Sequence, residues 1–185
     1  MSVRIVLALC AILWSAASVA QVPPEQRAGI EAAEARLEAL WALTQKIDAN
    51  AERNPQGNVF SFKVAERPII LVSDVNADRM RILTPIAPES VMTSELMRRL
   101  LQANFDSALD ARYAIAQGLL WGVFLHPLTS LTNEDFLSGV GQAVNVAVSF
   151  GTTFSSGALT FGGGDSQAEL RRLLEQLQRK NEQPL

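Results

Sequence analysis

The one cysteine of this chain, Cys10, limits how its fold can be stabilised. It lies in an apolar run, 5–14, which is followed by small residues, with Ser18 and Ala20 at the positions that a signal peptidase reads. We predict a signal peptide over 1–20, cleavage near Ala20 and a periplasmic or secreted product. The alternative is an uncleaved anchor, but the apolar run has about 10 residues and a membrane span needs ~20. The mature chain would contain no thiol, so burial of apolar side chains has to stabilise it.

Length and composition predict one globular domain. About 165 residues follow the signal peptide, and 48% of the chain is hydrophobic against 19% charged. The formal net charge is −3 and no basic stripe is interleaved with aromatic residues, so we expect no nucleic-acid partner. One histidine and no mature thiol exclude zinc and redox-metal sites, and we expect no cofactor and no metal. We also expect no stable membrane span.

A long helix is predicted over 25–51. Its apolar residues recur at alternating spacings of three and four between Ile30 and Ile47, which is one face of a helix, and Trp41 widens that face. The helix packs either on its own domain or, as a partial coiled coil, on a second protein. The stripe lasts only about two and a half heptads, which favours the first interpretation.

Three strands follow, and the turns between them are short. Residues 59–64 alternate as a half-buried strand does, 69–72 form an apolar run, and 80–84 form a third strand that Pro85 helps to end. Short turns predict an antiparallel meander.

The second half continues with helices and a hairpin. It comprises a helix over 90–104, strands over 112–116 and 119–125 that meet in a tight turn at Gln117–Gly118, and a helix from Thr132 with a capping box.

The predicted fold class is α+β: helix, three strands, helix, two strands, helix, with an antiparallel sheet on which the helices pack. This domain spans 21–151. A Gly/Ser-rich linker over 152–166 leads to an amphipathic C-terminal helix and tail over 167–185. The tail helix docks on the domain, binds a partner or remains mobile; the sequence leaves these three alternatives open.

Two stretches resemble the type III secretion chaperone-like fold of the Tir chaperone (CesT) family. Residues 100–105 are similar to the Leu-Leu-x-x-Asn helix end of the family, and 118–136 are similar to its last strand, leucine-rich connection and capped final helix. The resemblance covers 25–151 and presents the chain as an exported relative. It implies a small, non-enzymatic homodimer that holds extended segments of partner proteins against apolar surface patches, here a protein or peptide partner in the cell envelope.

Candidate chemistry is sparse in this sequence. Ser/His/Asp catalysis would have to use His126, the one histidine, and no Gly-x-Ser-x-Gly elbow accompanies it. Asp74, Asn76 and Asp78 have the spacing that starts a calcium loop, but Pro85 occupies the position of the bidentate acid. A hairpin turn is the favoured interpretation there, and we expect a protein that is not an enzyme.

Apolar residues supply the candidate binding surfaces. Strand alternation places Trp121 on one face of its strand and Phe124 on the other, so both faces are apolar. Helices and a dimer partner would cover the two faces; the alternative is an exposed groove for a client segment. A second function, a periplasmic carrier of a lipid or acyl chain, would use lining residues between the sheet and the first helix. The candidate lining residues are Leu37, Trp41, Phe60 and Phe62, which core packing also explains.

Overall fold

The computed structural model describes residues 23–106, 109–150 and 167–182. Their elements are, in chain order, α1 (Pro24–Ile47), β1 (Glu52–Arg53), β2 (Val59–Val64), β3 (Arg67–Asp74), β4 (Arg79–Pro88), α2 (Ser94–Asp106), β5 (Arg112–Ala116), β6 (Leu119–His126), α3 (Asn133–Val148) and α4 (Gln167–Glu182). This order and its antiparallel sheet confirm the predicted α+β class. The predicted signal peptide (1–20) and linker (152–166) lie outside the described residues.

The strands form one antiparallel sheet in the order β1-β2-β3-β4-β6-β5. Two of its hairpins have a pair of left-handed residues at the turn, Ala65–Glu66 and Gln117–Gly118. Positive φ at both central residues matches the right-handed twist of the flanking strands, so these tight turns fix the register.

The core lies between the sheet and the helices. Side chains of α1 and α3 are buried against one face of the sheet, together with alternate residues of β2, β3, β4 and β6. The largest fully buried side chains include Phe60, Leu71, Ile82, Phe136 and Val140. The first helix therefore packs on its own domain, as the length of its stripe favours.

Helix α3 approaches the sheet closely because glycines face it. A Cβ on Gly122 of β6 would lie 2.7 Å from Val146 Cγ2 and 3.0 Å from the Ala143 oxygen. At the start of α3, the predicted capping box is formed: Thr132 Oγ1 accepts from the Asp135 amide at 3.0 Å, and the Asp135 carboxylate accepts from the Thr132 amide. These contacts fix where the helix begins and how near it lies to the strands.

Helix α4 packs on the domain, which is the first of the three predicted alternatives. Its side chains Leu170, Leu173 and Leu177 are buried, and the latter two belong to the core. Two lysines join the C-terminal ends of α1 and α4. Lys180 Nζ donates to the Ile47 carbonyl at 2.6 Å, and Lys46 Nζ donates to the Asn181 carbonyl at 3.3 Å. Each lysine thus binds the negative end of the other helix.

Some predicted boundaries are wrong. Helix α1 ends at Ile47 rather than at residue 51, because Asp48 is extended and its carboxylate accepts from the amides of Asn50 and Lys63. The strand β1 was not predicted. Strand β4 continues through Pro85 to Pro88. Beyond Leu83 it no longer pairs with β3, so the amide that Pro85 lacks is not needed for a hydrogen bond to that strand. A 3-10 turn precedes α2, which begins at Ser94 rather than at residue 90.

Candidate interaction surface

One face of the sheet is apolar but lies outside the core. Strand register places on it the residues that alternate with the buried ones, and we call this surface the open face. Its leucine, isoleucine, valine and tryptophan side chains in the described part of the chain are half-buried except for Leu125, which is 55% exposed. They are Val59, Ile70, Val72, Leu83, Leu119, Trp121, Val123 and Leu125. None of them belongs to the core cluster. A contiguous apolar surface of this kind is a candidate interaction site.

Charged residues on the open face are mostly basic. Arg81 of β4 lies beside Val72 and Leu125 in register, and Lys63 lies at the outer strand β2. The two side chains make no hydrogen bond or ion pair within the described residues. The remaining charged positions of the face are Arg79, Arg112, Glu52 and Asp74, of which Asp74 stands next to Arg79 in register.

The β5 edge of the sheet is closed by side-chain amides. The Asn104 amide group accepts from the Tyr113 backbone amide at 2.7 Å and donates to the Tyr113 carbonyl at 3.1 Å. The Gln142 side-chain oxygen accepts from the Ala111 amide at 3.1 Å, and Arg112 donates to the Ala111 carbonyl at 2.9 Å. The backbone groups of Ala111 and Tyr113 are the ones that point outward from β5. Because side chains already bind them, they are not free to pair with an incoming strand.

The opposite edge is closed in a similar way. The two-residue strand β1 pairs only with Phe60 and Ser61 of β2. Beyond it, the Asp48 carboxylate accepts from the Lys63 amide at 2.8 Å, and the Asn54 side chain accepts from the Val59 amide at 2.9 Å. A very short edge strand and side-chain partners are common ways to prevent edge-to-edge pairing.

A second apolar surface lies on α2. Met97, Leu101 and Phe105 recur every four residues, so they share one side of the helix, and they are 38%, 68% and 84% exposed. Leu100 and Ala103 are buried instead. We call the first three residues the α2 stripe.

The six residues singled out in the sequence are divided between core and surface. Leu37, Phe60, Phe62 and Phe124 are buried in the core. Trp41 is half-buried, with its ring 5.1 Å from that of Phe60, and the Arg53 guanidinium lies over both rings. Trp121 is on the open face, and its Nε1 donates to the Ala116 carbonyl at 2.9 Å.

These positions bear differently on the two predicted functions. The predicted division of β6 into two faces matches the structure: Leu120, Gly122 and Phe124 face the core, while Trp121 and Val123 face outward. Of the lining residues that a lipid carrier would need, Leu37, Phe60 and Phe62 belong to the core cluster, and Trp41 packs against it. The exposure of the α2 stripe was missed, although the adjacent Leu100 and Leu101 point about 100° apart on a helix and signal a second apolar side.

His126 lies in a small cleft with other polar residues. The cleft has a volume of about 210 Å³, and Asp110, Asp135 and Ser138 also line it. His126 Nδ1 contacts the Pro127 carbonyl at 2.7 Å, whereas Ser138 Oγ accepts from Gln142 at 3.1 Å. Within the described residues, Ser138 and His126 are not hydrogen-bonded to each other. The side chains are therefore engaged with neighbouring structure rather than joined as a nucleophile and its base.

Two other predictions concern metal ions and the membrane. At the spacing that resembles a calcium loop, the Asp74 carboxylate accepts from the amides of Asn76 and Ala77, and Asp78 binds Thr129, as in a hairpin turn. No cluster of three or more acidic, histidine or cysteine side chains arranged for a metal occurs among residues 23–106, 109–150 and 167–182. In those same ranges, none of the helices combines the length and apolar character that crossing a membrane requires.

The comparisons with known proteins concern the fold. No family model and no curated protein matches the sequence. A crystal structure of the ExsC–ExsE complex is similar, with a TM-score of 0.47, 14% identity, and coverage of 60% of this chain and 90% of that one. The HopA1–SchA chaperone–effector complex has a TM-score of 0.48 and 10% identity, covering 62% and 94%. The Yersinia pestis type III secretion chaperone SycH, in complex with a fragment of YscM2, has a TM-score of 0.43 and 16% identity, covering 58% and 96%. These likenesses concern the fold and nothing further.

Proposed function

We propose that this chain is an exported, non-enzymatic binding protein that holds a protein or peptide partner against the open face. The uncovered apolar side chains of that face carry the proposal. The three similar structures are complexes of different proteins, but the proposal for this chain rests on its own surface.

The open face offers enough apolar surface for specific binding. Across the β4–β6 pairing, Val123 lies opposite Leu83 and Trp121 lies opposite Pro85, and Leu125 follows on the same strand. Full burial of one large apolar side chain contributes ~1.5–3 kcal/mol, and these side chains start half-covered, so each gains roughly half of that. A partner that covers all of them can offset the loss of translational and rotational freedom on association.

The proposal includes a homodimer formed through the α2 stripe. Met97 and Phe105 are each four residues from Leu101, so the stripe is symmetric about its centre. In a two-fold antiparallel pair of α2 helices, Leu101 meets its counterpart, and Met97 meets Phe105 of the second copy. This arrangement covers the stripe and leaves the open face for a different protein.

Replacement of Leu101 tests the dimer. Leu101→Asp places a charge at the centre of the proposed pair, and we expect light scattering on a size-exclusion column to report a monomer where the parent chain is a dimer. Gln102→Asp, the same charge one residue away and off the stripe, is the control and should remain dimeric. A parent chain that is monomeric at every accessible concentration would contradict this part of the proposal.

Site-specific crosslinking in cells tests partner binding. A photo-crosslinking amino acid replaces Val123 on the open face or, as a control, the exposed Glu134 at the start of α3. We expect a crosslinked protein from the cell envelope at position 123 and none at 134. Equal products at both positions, or products only between copies of this chain, would refute binding through the open face.

Export is tested on the same cells. The protein recovered from the envelope fraction should begin near Gln21, as Edman sequencing or intact mass determines. An intact N-terminus on protein that remains in the cytoplasm would contradict export without affecting the open face.

A further inference from the structure

We infer that the partner segment bound on the open face is an amphipathic helix with acidic flanks, rather than an added β-strand. The inference rests on the proposed function and specifies the chemistry of the partner. It follows from the closed edges of the sheet and from the charges beside the open face.

The edges decide against strand addition. At β5, the outward-pointing backbone groups of Ala111 and Tyr113 already bind the side chains of Gln142, Arg112 and Asn104. Ile115, next to the hairpin, is the other β5 residue whose backbone points outward by alternation. One residue is too short a template for a bound strand, whose affinity depends on a row of main-chain hydrogen bonds.

The other edge ends in β1, and β1 is two residues long. Behind β1, the amides of Val59 and Lys63 are bound by Asn54 and Asp48. Both edges thus lack the row of free backbone groups that would pair with an extended peptide.

An extended segment lying across the open face would leave its own backbone unpaired. Side chains cover that face, so neither its amides nor its carbonyls would find strand partners there, and burying them unpaired is unfavourable. A helix satisfies its backbone internally and presents only side chains. The covered face of the same sheet already binds helices in this way, through α1 and α3.

Charge selects the kind of helix. Arg81 lies among the apolar residues of the open face and Lys63 lies at one side, and neither has a partner within the described residues. Glutamate or aspartate beside the apolar stripe of a bound helix would pair with them. The α2 helix of a second copy fits less well, because Arg98 and Arg99 lie along it and would add like charges.

Binding of three labelled synthetic peptides to the mature, full-length chain tests the inference. Two peptides share one leucine stripe at helical spacing and carry either glutamate or lysine on its flanks; the third alternates valine and glutamate and is strand-prone. Fluorescence anisotropy gives the affinities, and ¹³Cα shifts give the bound conformation. We expect the glutamate-flanked peptide to bind as a helix, at least ten-fold tighter than the other two.

Two matched variants locate the binding. Arg81→Glu should weaken the glutamate-flanked peptide about five-fold and strengthen the lysine-flanked one, as expected for one exposed charge pair. Arg98→Glu, the same change on α2, should alter neither affinity.

Preference for the strand-prone peptide, bound in an extended conformation and tightened by opening the edge with Asn104→Ala, would overturn the helix inference. That result would leave the proposed function intact, since position 123 would still crosslink to a partner protein. Equal affinity for both helical peptides would overturn the acidic flanks. Absence of binding by any peptide would overturn the inference, and the proposed function would also fail if position 123 yields no crosslinked protein.

Discussion

The two faces of this sheet are both apolar, but only one is covered by the chain itself. On the covered face, Phe60, Ile82 and Phe124 are buried beneath α1 and α3. On the open face, Leu83 and Val123 are their neighbours in the same strands and remain half-exposed. Strands that are apolar on both sides are typical of sheets in which both faces are covered. The helices of this chain supply the first cover, and we assign the second to a partner.

The sharpest test of this difference uses adjacent residues on opposite faces of β2. Phe60→Ala removes a fully buried ring that packs on Trp41, and we expect a loss of about 3–5 kcal/mol in the free energy of unfolding. Val59→Ala, one position away on the open face, should cost roughly 1 kcal/mol or less because its side chain is already partly solvated. Urea denaturation measures both. Equal losses would show that the open face is part of the core.

The close approach of α3 gives a second contrast between the faces. Gly122→Ala would bring a methyl group against Val146 and the Ala143 carbonyl, which belongs to backbone and cannot easily move. We expect a loss of about 1–3 kcal/mol from overpacking. The enlarged side chain in Ala114→Val, on the exposed side of β5, should change stability by no more than about 0.5 kcal/mol. Thermal unfolding of the two variants compares them, and an unaffected Gly122→Ala would mean that α3 can move away from β6.

Much of this fold follows from local patterns that the sequence displays. Alternation in 59–64 and 119–125, the capping residues Thr132 and Asp135, and the turn at Gln117–Gly118 are short-range features, and each was predicted. The strand β1 was not, because two residues carry no period and pair only through the tertiary structure. The sequence predicts that Pro85 helps to end a strand, because proline lacks a backbone amide hydrogen. Its place in β4 depends on where β3 stops pairing, which no local pattern reveals.

The candidate interaction surface was only partly predictable for a similar reason. Alternation assigned Trp121 and Phe124 to opposite faces, but it cannot tell which face the helices of the chain will cover. Phe60 and Phe62 were therefore candidate lining residues and prove to be core. The edge contacts of Asn104 and Gln142 join residues that are 9 and 31 positions from their partners, so no short motif signals them.

The closed β5 edge lies between the two faces of the sheet, and opening it should have an effect on stability of intermediate size. Asn104→Ala removes both hydrogen bonds to the Tyr113 backbone, and we expect a loss of about 1–2 kcal/mol. Amide hydrogen exchange at Tyr113 should accelerate in the same variant. Gln102→Ala, on the exposed side of the same helix, is the control for helix propensity. Unchanged exchange at Tyr113 would mean that Asn104 does not protect the edge.

The smallest expected effect concerns the cap of α3, the helix that covers the sheet. Hydrogen bonds from the side chain and the backbone of Thr132 hold the pKa of the Asp135 carboxyl below its ordinary value. A carboxyl whose pKa is lower in the folded state adds stability above its unfolded pKa, and this stability is lost as the pH falls through the folded pKa.

Asp135→Asn should therefore cost stability at pH 7, and the deficit should shrink as the pH falls below about 4, where the parent carboxyl also becomes protonated. Glu134→Gln removes the same charge from the same turn without touching Thr132, and it is the control. Urea denaturation at pH 7 and at about pH 3 measures both variants. A deficit for Asp135→Asn that stays constant across this range would mean that the carboxylate charge does not contribute to the cap.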